Sequence, residues 1–456
     1  MATPDSRDHT IIQLPEAISI NLQAVRIGIC GLGTVGSGTF NVLRENAGEI
    51  AARAQAPVLV VHVGARRDNP ACDLTGVRVS RDIFAVATDP EVDVLVELIG
   101  GTTVARELIE TAIRAGKHVV TANKALIAEF GNELFALAAE YNVAVRYEAA
   151  VAGGIPIIKA LREGLAGNRI EWLAGIINGT GNFILSEMRD HGREFADVLA
   201  EAQALGYAEA DPTFDVEGID AAHKLVILAS LAFGIPLQFS SVYTEGITGV
   251  TPQDLRYAEE LGYRIKHLGI AKQGDRGVEL RVHPTLIPAD RLLANVNGVK
   301  NAVLVEGSAV GSTLYYGAGA GGKPTASAVV ADLVDLARDL SAGQISRVPS
   351  LSFCHESLQD LPIVPMAEVE TSWYLRMEAD DRPGVLSRIA TIFSDQGISI
   401  EALIQKAPQA GQTRVPLIVL TNRAPQGKVD IAVQQIEELD SVAGRVTRIR
   451  VEVLDG

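Results

Sequence analysis

Short β-branched runs alternate with longer helical segments from Val25 to about Glu148, and this alternation limits the fold more than any other feature of the chain. Strands that alternate with helices form parallel sheets through right-handed crossovers. We therefore predict an α/β, Rossmann-type, doubly wound domain over residues 25–148, preceded by a tail at 1–24.

The first predicted strand leads directly into a G-x-G-x-x-G loop and a helix. In such a loop the first glycine allows a tight turn, the second lets the backbone approach a pyrophosphate, and the third allows close helix–strand packing. The helix N-terminus favours the phosphate charge. The loop therefore predicts a dinucleotide site, and it consists of Gly31, Leu32, Gly33, Thr34, Val35 and Gly36.

The end of the second predicted strand indicates which dinucleotide binds. An acid there prefers the ribose of NAD, whereas arginine accommodates the 2′-phosphate of NADP. Arg66 and Arg67 follow this strand and favour NADP. The neighbouring Asp68 leaves NAD open, and a solvated charged turn is the alternative to any nucleotide contact.

The chain beyond Glu148 loses the strict alternation. Mixed strands and helices predict an α+β domain with helices on one face of its sheet, including a helix near 252–267. A glycine-rich return loop with a helix, a proline-rich linker and a β-α-β-β-α-β module of the ferredoxin-like type follow. The predicted ranges are 149–310 for the α+β domain, 311–345 for the return loop and helix, 346–372 for the linker and 373–456 for the module.

The stretch from Gly206 to Lys224 concentrates five carboxylates before an apolar run that is long enough for a buried helix. On that helix Asp220 and Lys224 are four residues apart, so their side chains share a face. An ordinary surface ion pair is the alternative. Because this pair begins a helix that is predicted to be buried, where charges are unfavourable without a function, we predict that the reactive site lies here.

A second lysine, Lys124, follows a predicted strand at the carboxyl edge, where doubly wound sheets bind ligands. A solvated lysine at a helix start is an equally ordinary interpretation. Hydride transfer between a nicotinamide and an alcohol or carbonyl requires a proton to leave or join the oxygen. A lysine with a lowered pKa, oriented by a carboxylate, can carry that proton, and the surrounding acids would suit a substrate with an ammonium group.

Charge and composition exclude several classes of protein. The net charge of −16 comes from acids spread along the chain and argues against nucleic acid or an anionic membrane as partner. Cys30, Cys72 and Cys354 are too few and too scattered for a disulfide framework or a zinc site, which favours the reducing cytoplasm. We expect neither a membrane span nor a signal peptide, because no window has the required apolar run.

Together these segments resemble the homoserine dehydrogenase family, in the form that carries a C-terminal ACT regulatory domain. The resemblance extends from about residue 25 to the end of the chain. It implies the reversible reduction of L-aspartate 4-semialdehyde to L-homoserine with NAD(P)H, in the biosynthesis of threonine, methionine and isoleucine. The matching segments are GLGTVG, TANKALIA, YEAAVAGGIPII, GIINGTGNFILSEM, GYAEADPTFDVEGIDAAHK, YYGAGAGGKPTASAVVAD and DDRPGVLSRIA.

The resemblance also implies roles for individual charged residues. Lys224 would be the general acid and base, and Asp220 would position it and contact the substrate. Lys124 would be a second essential lysine near cofactor and substrate. Glu209 would hold the amino group of the substrate, and Asp215 would support the site.

Two further binding features follow from the resemblance alone. Gly206 and Gly321 would approach the cofactor. The family also binds a structural monovalent cation, usually sodium, where the residues by themselves indicate only a tight glycine turn. Carbonyl oxygens with a single carboxylate suit such a hard cation. The implied ligands are Glu148, Val151, Gly153 and Ile155.

The ACT-like module carries the sequence DRPG at 381–384, between its first strand and first helix. In the family this loop meets a small amino acid at a domain interface, so we expect feedback inhibition by L-threonine. A purely structural oligomerisation module is the alternative. The family is typically dimeric through its central domain, and we expect a homodimer or a higher homo-oligomer.

Two other functions remain open at this point. A related dehydrogenase for a different amino-acid aldehyde would share the nucleotide domain but not the stretch at 206–224. A non-catalytic amino-acid sensor would keep the nucleotide and ACT modules without needing Lys124, Lys224 and Glu209. The presence of these residues argues against both alternatives.

Overall fold

The structure is a computed structural model that describes residues 24–405 and 413–454, so all but the last position of the expected tail at 1–24 lies outside the described residues. A fully parallel sheet forms the first layer, which confirms the predicted Rossmann-type domain. Its strands are β1 (Val25–Cys30), β2 (Val58–Gly64), β3 (Arg78–Ser80), β4 (Val94–Glu97), β5 (His118–Thr121) and β6 (Val145–Arg146).

The strand order of this sheet is β3-β2-β1-β4-β5-β6. The order reverses between β1 and β4, and ligands of doubly wound sheets bind at the carboxyl ends of the strands beside such a reversal. The helices of this domain are α1 (Thr34–Glu45), α2 (Ala47–Ala54), α3 (Ile83–Ala87), α4 (Val104–Arg114) and α5 (Lys124–Glu140).

The central domain combines a largely antiparallel sheet with helices. Its strands are β7 (Ile170–Ile176), β8 (Tyr243–Thr244), β9 (Tyr263–Gly274), β10 (Gly277–Pro288), β11 (Lys300–Gly307) and β12 (Gly311–Ala318). Its helices are α6 (Ile157–Lys159, continued by a π-helical turn at Ala160–Gly164), α7 (Gly179–His191), α8 (Phe195–Ala204), α9 (Thr213–Val216), α10 (Ile219–Phe233), α11 (Pro252–Glu260) and α12 (Gly322–Ser341).

Two predictions for this domain are wrong. The helix expected at 252–267 ends at Glu260, because Gly262 adopts a left-handed φ of 82° and the chain then enters β9. The segment expected as a return loop from residue 311 instead begins with β12, an edge strand paired with β11. Its side chains are half-exposed and include Gly and Ala, so no apolar alternation marks it as a strand.

Helix α12 returns to the nucleotide domain and completes its core. Val329 and Leu333 of α12 share an apolar cluster with Ile29 of β1. A Cβ atom on Gly38 of α1 would lie 2.7 Å from the Gly322 carbonyl oxygen, so only glycine allows the two helices to approach this closely. Neither α12 nor any other helix in the described ranges is long and apolar enough to cross a membrane.

The C-terminal module has the predicted β-α-β-β-α-β order. Its elements are β13 (Glu370–Asp380), α13 (Val385–Asp395), β14 (Ile400–Gln405), β15 (Arg414–Pro425), α14 (Gln426–Glu437) and β16 (Val442–Val451). The strands lie in the order β16-β13-β15-β14, which is the ferredoxin-like arrangement.

The sheets of the central domain and the C-terminal module form one continuous sheet. Strand β16 pairs in parallel with β10, with Arg450 opposite Thr285 and Val451 opposite Leu286. The combined order is β12-β11-β7-β9-β10-β16-β13-β15-β14, and β8 pairs with β10 beside this path. The module is therefore built onto the central domain through backbone hydrogen bonds.

One face of the module also packs on the central domain. Tyr374 and Ile418 share an apolar cluster with Leu255 of α11, while α13 and α14 cover the opposite face. Arg376 Nε donates to Asp254 Oδ1 at 2.6 Å, which adds a buried ion pair to this contact. The predicted linker at 346–372 lies along the central domain, where Ile363 bridges to Val278.

Candidate active site

A cleft of about 580 Å³ lies where the nucleotide domain meets the central domain. The beginnings of α1 and α5 line it from one side, and α7 and α10 line it from the other. It therefore brings together side chains that are distant in the sequence. The predicted site residues on its wall are Val35, Lys124, Gly153, Gly206, Glu209, Asp215, Asp220, Lys224 and Gly321.

Asp220 binds one lysine with each of its carboxylate oxygens. Lys224 Nζ donates to Oδ2 at 2.6 Å, and Lys124 Nζ lies 3.1 Å from Oδ1. Burial alone would raise the pKa of Asp220, but the two ammonium groups and the hydrogen bonds hold it well below its usual range. Asp220 is therefore ionised at neutral pH and holds the two lysines together.

Lys224 has one N–H that its protein partners leave unused. A lysine ammonium has three donors. Two of them are bonded to Asp220 Oδ2 and, at 2.7 Å, to the Ile177 carbonyl oxygen, and the described residues offer no partner for the third. Burial lowers the pKa of Lys224, although Asp220 opposes the effect. This geometry suits a proton donor and acceptor at a substrate oxygen.

Lys124 differs from Lys224 in its electrostatic state. It follows β5 and begins α5, where the Asn123 side chain caps the helix by accepting from Leu126 N. The attraction of Asp220 raises the pKa of Lys124 and outweighs the effect of burial. Lys124 therefore remains a fixed positive charge on the cleft wall.

Asn178 organises the acidic side of the cleft and was not singled out from the sequence. Its Nδ2 donates to Asp215 Oδ1 at 2.7 Å and to Asp220 Oδ2 at 2.9 Å. Its Oδ1 accepts from Gly181 N at 2.7 Å, so the same side chain caps α7. An Asn immediately before a helix is a capping signal that could have identified it.

Asp215 and Glu209 occupy different depths of the cleft. Burial raises the pKa of Asp215, while the bond from Asn178 opposes this shift. Glu209 is exposed at the rim, and its carboxylate has no hydrogen-bond or ion-pair partner within the described ranges. The rim carboxylate is therefore free to bind a cationic group.

The glycine-rich loop has the geometry that its pattern predicts. Gly31 has a φ of 100°, and a Cβ atom there would lie 2.6 Å from the Leu98 carbonyl oxygen. A Cβ atom on Gly36 would lie 1.9 Å from the Gly31 carbonyl oxygen, which fixes the close packing of α1 on β1. Gly33 caps α1 in open space, so its backbone is accessible to a phosphate group.

The charged residues after β2 have the surroundings that decide which of them could contact a dinucleotide. Arg66 and Arg67 are exposed, and within the described residues neither guanidinium has a protein partner. Asp68, the acid that would favour NAD, instead pairs with Arg81 at 2.9 Å. The sequence pattern does not predict the short strand β3, so it gives no reason to single out Arg81, which follows that strand.

Gly206 and Gly321 both line the cleft, with positive φ values of 74° and 117°. Gly321 precedes α12, and a Cβ atom on Gly322 would lie 2.9 Å from the Thr34 carbonyl oxygen. The N-termini of α1 and α12 therefore lie side by side. Two helix N-termini at one place favour an anionic group between them.

The segment of the expected cation site is a buried turn. Ala152 and Gly153 have left-handed φ values of 54° and 44°. Both carboxylate oxygens of Glu148 accept backbone N–H groups, from Ile158 at 3.0 Å and from Lys159 at 2.8 Å, and burial raises the pKa of Glu148 to about 8. The other oxygen donors of the expected set are the backbone carbonyls of Val151, Gly153 and Ile155. Carbonyl and carboxylate oxygens are the donor types that a hard cation prefers.

A separate cavity of about 320 Å³ lies in the C-terminal module. The loop at 381–384 and the start of α13 form one wall, and Gln405 of β14 forms another. Gln405 Nε2 donates to Asp381 Oδ1 at 2.8 Å. The cavity therefore lies at the loop that the sequence indicates as an effector site.

Three family models match the chain in order. "Homoserine dehydrogenase, NAD binding domain" matches residues 31–148, "Homoserine dehydrogenase" matches 156–334, and "ACT domain" matches 373–439. These ranges include the glycine-rich loop, the charged cleft and the loop of the second cavity.

Individual proteins resemble the chain over most of its length. A homoserine dehydrogenase from Pseudomonas aeruginosa is 62% identical over 95% of this chain and all of its own. The crystal structure of one from Thiobacillus denitrificans is 60% identical, with a TM-score of 0.90 over 95% of this chain and 99% of its own. A hyperthermophilic archaeal homoserine dehydrogenase solved with NADPH is 27% identical, with a TM-score of 0.58 over 69% of this chain and 97% of its own.

Proposed function

Because the chain belongs to the homoserine dehydrogenase family, we propose that its cleft catalyses the reversible reduction of L-aspartate 4-semialdehyde to L-homoserine. The chain is an oxidoreductase with a nicotinamide-binding domain. The observation that carries the proposal is the pair of lysines on Asp220, with one N–H of Lys224 free to face a substrate oxygen.

Lys224 carries the proton in this reaction. During reduction its free N–H donates to the aldehyde oxygen, so that an alcohol forms rather than an alkoxide. During oxidation the neutral amine accepts the hydroxyl proton. Asp220 and the Ile177 carbonyl hold Nζ in place in both directions, and the low pKa brings the two protonation states within reach. A bound nicotinamide supplies or accepts the hydride.

The other charges of the cleft orient the substrate. Glu209 binds the substrate ammonium, which is consistent with its unpaired carboxylate at the rim. Asp215 supports Asp220 through the shared amide of Asn178. Lys124 keeps its charge and offsets the negative charge that develops on the reacting oxygen.

The nicotinamide cofactor is NADPH rather than NADH. Arg66 and Arg67 would bind the 2′-phosphate, and Asp68, the acid that would favour NAD, is paired with Arg81. The glycine-rich loop, with Gly206 and Gly321 near it, would hold the pyrophosphate. The NADPH bound by the archaeal relative supports this assignment.

A sodium ion would be held at the turn at 148–155 by Glu148 and the carbonyl oxygens of Val151, Gly153 and Ile155. It would stabilise the wall that contributes Gly153 to the cleft. An alkali ion there has a structural role. Replacing sodium by choline in the buffer should lower the melting temperature, and an unchanged value would contradict this site.

The ACT module senses L-threonine, and the enzyme acts in threonine, methionine and isoleucine biosynthesis. The cavity at 381–384 supports this role because its wall combines the polar side chains of Asp381 and Gln405 with apolar ones such as Val385, as a small amino acid with a methyl and a hydroxyl group requires. The enzyme is a homodimer or higher oligomer. The edge strand β12 supports this, because Tyr316 on it is 57% exposed.

The enzyme is located in the cytoplasm, which is consistent with the free thiols of Cys30, Cys72 and Cys354.

Nicotinamide absorbance on addition of L-homoserine tests the proposed reaction, with NADP⁺ and NAD⁺ in parallel. We expect reduction of the nicotinamide, faster with NADP⁺ at equal concentrations. An amino-acid panel with L-serine and L-threonine distinguishes a different substrate. Folded protein that binds NADPH but turns over homoserine with neither cofactor would overturn the proposal.

A further inference from the structure

An arginine of the ACT module is buried in the central domain. The Arg450 guanidinium donates to Glu245 Oε2 at 2.7 Å and to the Tyr243 hydroxyl at 3.1 Å. Two further N–H groups of Arg450 donate to Gln426 Oε1. Arg450 Cζ lies 4.8 Å from the centroid of the Trp373 ring. Arg450 therefore joins two residues of its own module to two residues of the central domain.

Glu245 contacts both Arg450, through its side chain, and a histidine near the active site, through its backbone. Its N–H donates to the Val282 carbonyl oxygen at 2.8 Å, and its own carbonyl oxygen accepts from His267 Nε2 at 2.9 Å. Burial lowers the pKa of His267 to about 4, so the ring is neutral at pH 7 and carries its proton on Nε2. The position of the ring therefore depends on the position of the Glu245 carbonyl.

The His267 ring lies against the starts of both active-site helices. A Cβ atom on Gly218 would be 3.1 Å from the ring, and one on Gly181 would be 3.7 Å from it. Gly218 caps α10 two residues before Asp220, and Gly181 N–H is the group that Asn178 caps. The ring therefore lies beside the starts of both helices, and it is closer to Gly218.

We propose that Arg450 is a positioning residue for the homoserine dehydrogenase reaction, acting through Glu245 and His267 on Asn178 and Asp220. The proposal rests on the proposed function, because it concerns the site of that reaction. Arg450 contacts neither substrate nor cofactor. Its guanidinium group holds Glu245 in place, and the Glu245 carbonyl in turn positions the His267 ring. The ring keeps Asp220 where it can hold Lys224.

The test compares Arg450→Lys with Arg448→Lys in the full-length enzyme. Arg448 lies on the same strand, is half-exposed and pairs with Asp430 inside the module, so it is a matched control. Arg450→Lys keeps the charge but loses the two-pronged donor geometry. The readouts are kcat and KM for homoserine, the Kd of NADPH from fluorescence, the melting temperature and the pH profile of kcat.

We expect Arg450→Lys to lower kcat for homoserine oxidation about tenfold, as small displacements of reacting groups do, with the Kd of NADPH within about twofold of wild type. A weaker hold by Asp220 removes the attraction that raises the Lys224 pKa, so this pKa should fall further below its ordinary value. The pH at which oxidation increases should then move downward. Arg448→Lys should leave all of these readouts unchanged.

Three outcomes contradict the proposal. They are a wild-type kcat in Arg450→Lys, a lower kcat without a shift in the pH profile, and an equal effect of Arg448→Lys. If Arg450→Lys does not fold, Glu245→Gln decides from the other side of the contact, with the same expected shift. Absence of homoserine oxidation by the wild-type enzyme would instead reject the proposed function, so the two failures are distinguishable.

Discussion

Asp220 holds two lysines of the same chemical type, yet their surroundings give them opposite properties. The Lys224 side chain is 11% exposed and the Lys124 side chain is 40% exposed. Loss of water disfavours an ammonium, so burial lowers the pKa of Lys224, whereas the attraction of Asp220 raises the pKa of Lys124. One carboxylate therefore holds a lysine whose pKa is lowered and a lysine whose pKa is raised.

Lys224→Ala should abolish most turnover while nucleotide binding persists. We expect kcat for homoserine oxidation to fall by about 10²–10⁴, the usual range for loss of a general base. In the wild type, oxidation needs the neutral amine, so kcat should rise with pH, with a midpoint below the ordinary lysine pKa. Stopped-flow absorbance across pH, with NADPH fluorescence, measures both effects.

The matched control for this variant is Lys428→Ala, which removes an exposed lysine of the ACT module. It should retain wild-type turnover. Loss of NADPH binding in Lys224→Ala, or turnover that persists with an unchanged pH profile, would show that Lys224 does not carry the proton.

Arg66 and Arg67 are expected to determine the preference between the two dinucleotides. Replacing both with alanine removes the charges that would face the 2′-phosphate, so KM for NADP⁺ should rise at least about tenfold, which corresponds to about 1.4 kcal/mol. KM for NAD⁺ should change less than twofold. Arg53→Ala, at an exposed helical position, serves as the control. Equal changes with both dinucleotides would contradict a phosphate contact.

Among helices and strands, the sequence predicts those whose ends are marked by local residue patterns. Helix α5, Lys124–Glu140, is of this kind, because apolar periodicity within it and the capping Asn123 directly before it are local signals. The start of α10 at Ile219 follows from Gly218 in the same way. The first residues of β9 were predicted as helix, because the apolar spacing around 263–267 fits a helix as well as a strand. Gly262 is the only local signal that the helix ends before them.

The charged site could be predicted only in part for the same reason. The Asp220–Lys224 pair is local and follows from helical spacing. The contact between Lys124 and Asp220 depends on how α5 packs against α10, and the role of Asn178 depends on α7 lying beside both. No spacing along the chain encodes these distances, so the structure was needed to place them.

Asn178→Ser separates the two functions of the residue at the start of α7. Serine can still accept from Gly181 N and cap the helix, so the free energy of unfolding should change by less than about 1 kcal/mol. It cannot donate to both Asp215 and Asp220, and their mutual repulsion should then displace Asp220. We expect kcat to fall about 10–100-fold, measured with NADP⁺ and homoserine.

Asn178→Ala provides the comparison for that variant. It should show the same loss in kcat and, in addition, a lower stability in urea because the cap is lost. Wild-type kcat in Asn178→Ser would mean that the amide bridge between the two carboxylates is not needed for catalysis.

At the scale of the whole molecule, the ACT module and the substrate stretch share one core. Ala208 and Val216, which flank the acidic residues, pack in the same apolar cluster as Ile449 of β16 and Tyr374 of β13. An effector that favours one position of the module would therefore act on the carboxylates of the cleft. Such coupling requires different affinities for two arrangements.

L-Threonine should inhibit homoserine oxidation at least about fivefold at saturation, the lower end of common allosteric effects. L-Valine has the same shape without the hydroxyl and should inhibit much less, because it cannot bond to the polar groups of the wall, Gln405 and Asp381. Gln405→Ala should weaken the response to threonine. A titration that stays flat to saturating threonine would reject the effector.

Helix α12 also sets an order of events during synthesis. The nucleotide domain ends in sequence near β6, yet its apolar core is closed by Val329 and Leu333. A ribosome that adds about 5–20 residues per second reaches α12 on the order of 10 s later. During that interval the apolar side chains of α1 and β1 that pack against α12 lack this cover.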